Sequence, residues 1–121
     1  MALSRIVLRL ARNPGTEFAD GDDHRGYTLT APLTSEGVLD VDACRAAPGR
    51  CTVRRFAPDD DIEQGALKFS RGAWSFAYED GDAIPVPHLG DHRFTLGEYC
   101  SLPDEEGVRL LAYKVTEVVE V

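Results

Sequence analysis

Gly, Pro, Asn and Asp punctuate this chain at short intervals, and that spacing constrains its fold more than any other feature. Asn13-Pro14-Gly15, Ser35-Glu36-Gly37, Pro48-Gly49, Arg71-Gly72 and Pro103-Asp104-Glu105-Glu106-Gly107 separate segments rich in Val, Leu, Phe, Tyr and Thr. Pro removes a backbone donor and Gly accepts positive φ, so each cluster ends regular structure. Short β-branched and aromatic runs at this spacing predict an all-β fold, a partly open barrel of six to eight short strands with one short helical segment. At 121 residues, with no linker, repeat or low-complexity tract, residues 1–121 read as one domain.

The first strand is expected at Ser4–Ala11, with Ile6, Leu8 and Leu10 on one face and Arg5, Val7 and Arg9 on the other. An acidic loop, Glu17–Asp23, leads to a second strand at Gly26–Leu33, where Tyr27, Leu29 and Ala31 share a face. Asp40 is placed to N-cap a short helix over Val41–Ala47 that covers one end of the β core. A third strand, Cys51–Ala57, alternates Cys51, Val53 and Arg55 against Thr52, Arg54 and Phe56. The run Asp59-Asp60-Asp61 with Glu63 reads as a solvated loop. Gly65–Ser70 and Ala73–Tyr78 then form a hairpin through Arg71-Gly72, with Trp74, Phe76 and Tyr78 at period two supplying the aromatic core. Glu79–Gly90 reads as a long irregular connection. Strands are expected again at Arg93–Leu96, Glu98–Leu102, Val108–Tyr113 and Val115–Val121, the last with a shift in facing.

The net charge of −8 is unevenly distributed. Residues 1–57 hold eight arginines against seven acids, and residues 58–121 hold five bases against fourteen acids. Net acidity repels a phosphate backbone, which argues against DNA and disfavours RNA. No apolar run approaches the roughly 20 residues of a membrane span. The arginines that interrupt the N-terminal apolar stretch are wrong for a secretory signal. Three cysteines, Cys44, Cys51 and Cys100, with six residues between the first two, match no zinc or redox motif and read as reduced, packed thiols. A cytoplasmic protein is therefore expected.

The metal candidates are His24, His88, His92 and Asp91, but Pro85, Pro87 and Gly90 deny His88 and His92 the helical spacing that would put them on one face. The acid clusters Asp20/Asp22/Asp23, Asp59–Asp61 and Asp80/Asp82 lack a calcium-loop pattern. A general acid/base pair such as Glu63 with Asp82 remains open, and Cys100 with His92 is a co-occurrence rather than a nucleophile motif. No phosphate-binding glycine loop is present. Positive charge concentrates at Arg45, Arg50, Arg54 and Arg55, which with Arg5, Arg9 and Arg12 are candidates for a basic face that binds a partner.

Arg25-Gly26-Tyr27-x-Leu29-x-Ala31-Pro32-Leu33, Cys51-x-Val53-Arg54-Arg55-Phe56, Trp74-x-Phe76-x-Tyr78 and His92-Arg93-Phe94-x-x-Gly97-Glu98-Tyr99-x-Ser101 form an ordered set spanning nearly the whole chain. This set resembles a group of small uncharacterised bacterial all-β proteins with no known activity, which implies a shared fold and supplies no catalytic residue to carry over. Phe94-x-x-Gly97-Glu98-Tyr99, followed by an acidic turn and two closing strands, also looks like the second half of an SH3-like or translation-factor-type barrel.

Two classes of function follow. One is a non-enzymatic binding or interaction module, meeting a protein partner or a second copy of itself and needing no cofactor. The other is a metal-dependent or small-ligand enzyme built on His24, His88 and His92. A third reading makes the aromatic hairpin with Trp74 the wall of a small-ligand pocket.

Overall fold

Strand β1 (Ser4–Leu10) pairs with β2 (Asp22–Ala31) on one side and β8 (Leu110–Glu120) on the other, and this triplet is the spine of a computed structural model of the chain. The structure describes residues 2–47, 49–58, 60–79, 83–103 and 109–121; of Asp60 and Asp61 it describes the backbone only. β3 (Thr52–Ala57), β4 (Asp60–Ser70), β5 (Ala73–Tyr78) and the two-residue β6 (Ile84–Pro85) continue the antiparallel sheet beyond β2, and β7 (Tyr99–Pro103) lies beyond β8. The order β6-β5-β4-β3-β2-β1-β8-β7 makes an eight-stranded, nearly closed barrel that, among the described residues, has β6 and β7 as its two edges. The expected all-β barrel is what the chain forms.

A 3-10 turn at Leu89–Asp91 packs on both β5 and β7 and so bridges that seam. Val86, Leu89 and Phe94 are fully buried beside it. This corrects the strand expected at Arg93–Leu96. Phe94 turns inward as a plug, its N–H donates to the carbonyl of Gly37, and Thr95 to Glu98 close a turn. Burying such a ring stabilises the fold by roughly 1.5–3 kcal/mol, more than two ladder bonds on an edge return.

Alternation builds the core. Ile6, Leu8 and Leu10, then Tyr27, Leu29 and Ala31, then Cys51 and Val53, and finally Trp74 and Phe76 all point inward, as their period predicts. Arg71 (φ 54°) and Gly72 (φ 80°) both adopt positive φ, the requirement of a two-residue turn matching the strand twist. The Asp40 carboxylate accepts from the Ala43 N–H and starts α1 (Val41–Ala46), whose one buried residue, Cys44, joins the core.

Three further boundaries move. β2 begins at Asp22 rather than Gly26, after a register shift between Arg9 and Leu10. β4 begins at Asp60, so the acid run expected as loop enters a strand, held by pairing of Ala57 with Asp60 and Arg55 with Glu63; Asp59 lies outside the described residues. The strands expected at Val108–Tyr113 and Val115–Val121 are one, β8. Its register slips between Val7 and Leu8, which pair with Glu117 and Val115, and this is the expected shift in facing. Among the described residues no helix is long and apolar enough to cross a membrane.

Candidate functional site: a cationic row on the outer wall

The residues that alternate outward from β7, β8, β1, β2 and β3 line up in register. Tyr99 pairs with Lys114, Lys114 with Arg9, Arg9 with Gly26, and Gly26 with Phe56. Two cations thus stand directly opposite each other on adjacent strands, an arrangement that costs stability. Each leans away onto an aromatic ring. The Lys114 ammonium lies 6.0 Å from the Tyr99 centroid, and the Arg9 guanidinium 5.6 Å from that of Phe56. Arg9 can reach across β2 because Gly26 presents no side chain; a Cβ there would fall 1.9 Å from the Leu8 carbonyl oxygen. Arg9 also donates to the Asp23 carbonyl.

An open groove of about 540 Å³ runs along this row, lined by Arg9, Arg12, Lys114 and Tyr99 with Asp20, Asp23 and Thr116. Asn13 holds its rim. Its side chain donates to the carbonyls of Ala11 and Ala112 and accepts from the Ala112 N–H, extending the β1–β8 ladder by one side chain and fixing Arg12 beside β8. Among the described residues, Arg9, Arg12, Arg54 and Lys114 form no salt bridge. Other cations do: Arg5 with Glu117, Arg25 with Asp22, Arg55 with Glu63 and Arg109 with Glu17. Tyr99 is 60% exposed and Leu96, at the tip of the preceding turn, 68%.

Four arginines singled out in sequence part company. Arg45 sits exposed on α1 and Arg50 exposed in the loop before β3. Arg54 points outward, directly opposite Thr28 on β2, which in turn pairs with Val7 on β1. Arg55 turns inward, 9% exposed, and donates to Glu63 Oε1 at 3.1 Å. Arg55 thus leaves the group by turning inward, and the cations that line one groove are Arg9, Arg12 and Lys114. Arg9 and Arg12 were legible as members of a basic group; Lys114 and Tyr99 were not, because only the pairing of β8 with β1 brings them there.

The histidines stay apart. His24 is exposed on β2, His88 is exposed with its Nδ1 3.2 Å from the Asp91 carboxylate, and His92 is half-buried. Among the described residues, no three His, Cys, Asp or Glu side chains are grouped so as to hold a metal ion. Glu63 is engaged by Arg55, while Asp82 lies outside the described residues. Cys100 is 1% exposed, and burial pushes its thiol up to about 12, which leaves it protonated rather than nucleophilic at neutral pH. Trp74 is 4% exposed and packs edge-on against Phe69 at 5.1 Å, so its ring is core.

Comparison with family models, curated proteins and solved structures finds no match.

Proposed function

We propose that the protein is a non-enzymatic interaction module whose outer wall receives an acidic, aromatic-containing segment of a partner protein. The observation that carries this reading is the row Tyr99–Lys114–Arg9, where two cations face each other and, among the described residues, neither forms a salt bridge, although Asp20 and Asp23 line the same groove. A protein tolerates such a local conflict where a binding partner relieves it. An incoming carboxylate would sit between Lys114 and Arg9, and an aromatic side chain beside exposed Tyr99 and Leu96. The net charge of −8 opposes an acidic peptide as it does RNA, but charges beyond about 8 Å are largely screened at physiological salt, which leaves the local Lys114–Arg9 pair to attract a carboxylate. In this reading the chain is a small barrel of the SH3-like or translation-factor type acting in the cytoplasm, and its interior serves as scaffold.

Fluorescence anisotropy of a labelled peptide alternating Glu with Phe tests the proposal. Wild-type protein should bind it in a salt-sensitive manner, and Arg9→Ala with Lys114→Ala should weaken binding at least tenfold. Equal binding by the double variant, or tighter binding of oligo-uridine than of the peptide, would overturn it. Concentration-dependent sedimentation that the double variant abolishes would instead make a second copy the occupant.

A further inference from the structure

Cys44 and Cys51 are seven residues apart in sequence, one on α1 and the other immediately before β3. Their Sγ atoms lie 2.7 Å apart, the Cys51 thiol donating toward Cys44, and both side chains are buried, at 5% and 1% exposure. No other cysteine shares the site, since Cys100 sits on β7. The spacing in sequence hid this contact because the helix end and the turn after it fold the chain back on itself. Two thiols held closer than unbonded sulfurs ordinarily rest need move little to reach the bond length of about 2.05 Å.

We infer that Cys44 and Cys51 form a reversible intramolecular disulfide that locks α1 to the barrel. Helix α1 has only six residues, too few to persist without tertiary contacts, and Cys44 is its one buried side chain. The thiol contact therefore lies where a covalent bond changes the motion of an element most. Arg45 follows the first cysteine and Arg50 precedes the second; both are exposed and, among the described residues, form no salt bridge. Two such cations favour approach of a small anionic disulfide, RSSR.

Local opening of α1 lets Cys44 lose its proton. Its thiolate attacks one sulfur of RSSR, the S–S bond breaks, and RS⁻ leaves and takes up a proton. The Cys51 sulfur then attacks Cys44 Sγ, forming the protein disulfide; the second RS⁻ leaves and takes the Cys51 proton. Two protein thiols lose two electrons, and RSSR is reduced to two RSH. Burial and the neighbouring thiol raise the Cys44 pKa, so the contact is a dithiol at rest and reacts through opening.

Reduced full-length protein incubated with oxidised glutathione, acid-quenched, denatured and alkylated with iodoacetamide tests this by mass. The expected product has one alkylated cysteine, Cys100, instead of three, and is lighter by about 2 Da before alkylation. Trypsin cuts after Arg45 and Arg50, so the linkage appears as two joined peptides containing Cys44 and Cys51. Cys51→Ser should stop at the mixed disulfide on Cys44, and Cys100→Ser should oxidise as wild type does. Amide exchange over Val41–Ala46 should slow at least tenfold on oxidation and recover with reductant. Three alkylated cysteines, a glutathione adduct retained by the wild type, linkage through Cys100, or unchanged exchange in α1 would each overturn the inference.

Discussion

The buried Arg55 reaches the half-exposed carboxylate of Glu63; on the outer wall, Arg9 meets Lys114. Both regions use arginine beside aromatic rings. In the interior, Tyr27 lies 5.4 Å from Phe76 and 5.3 Å from Tyr113, and its hydroxyl donates to the Pro103 carbonyl at 3.1 Å. Arg55 acts on Tyr27 and Tyr78 from β3 while binding Glu63. A buried charge without a partner is strongly destabilising, and Arg55 is matched by the half-exposed Glu63. Water relieves the outer wall of that demand, and there the fold leaves like charges opposed. The difference teaches that the interior charge is neutralised by an ion pair, whereas the outer pair, held by aromatic rings and a backbone carbonyl, is left without one among the described residues.

High pH should attack the interior first. Burial raises the pKa of Tyr27, Tyr78 and Cys100 above their ordinary values of 10.0, 10.0 and 9.0. Below those values the folded and unfolded chains hold the same protons and stability is undiminished. Above them the unfolded chain releases protons that the folded chain keeps, so stability falls by up to about 1.4 kcal/mol per pH unit for each group. Urea midpoints should be flat from pH 7 to 8.5 and drop steeply above pH 10; a flat profile to pH 11 would contradict burial of these groups.

Arg55→Ala should lower unfolding free energy by about 2–3 kcal/mol, through the lost ion pair and the space left among the rings. Its neighbour Arg54→Ala should stay within about 0.5 kcal/mol. Equal effects in denaturant titrations would erase the distinction between inside and outside. Tyr27→Phe strands the Pro103 carbonyl and should cost about 1–2 kcal/mol, whereas Tyr99→Phe should leave stability unchanged.

Much of this contrast could be read from residue order. Period two predicted that Arg54 and Arg55 would face opposite ways, and it placed Trp74, Phe76 and Tyr78 in the core. Asp40 announced the helix start, and Arg71-Gly72 the hairpin. These are local signals, set within a few residues of one another. Long-range register is not local. Lys114 comes beside Arg9 only through β8 pairing with β1, and the slip that sets their alignment sits at Val7 and Leu8. Phe94 looked like strand because its neighbours are strand formers, yet the seam needed a plug more than another ladder. The Cys44–Cys51 contact depends on how a two-turn helix ends, which no spacing rule encodes.

The smallest effect is expected at the rim. Arg109 binds Glu17 through both carboxylate oxygens and holds its pKa down to about 2. That contribution is present above about 4.5 and is lost as pH falls toward 2. Because Glu17 is exposed, salt should weaken it further. Glu17→Gln should shift the acid unfolding midpoint slightly at low salt and not at 1 M salt, and a large shift that survives salt would mean the rim is more buried than its exposure indicates.

The central claim is that the outer row is kept for binding at some expense to the fold, and Lys114→Glu separates the two most directly. The substitution replaces a like-charge pair across β1 and β8 with an opposite-charge pair. Thermal unfolding should therefore show a protein at least as stable as wild type, with a gain on the order of 0.5 kcal/mol. Anisotropy with the Glu/Phe peptide should show binding weakened tenfold or more in the same sample. A stable Lys114→Glu protein that binds the peptide as wild type does would contradict the account.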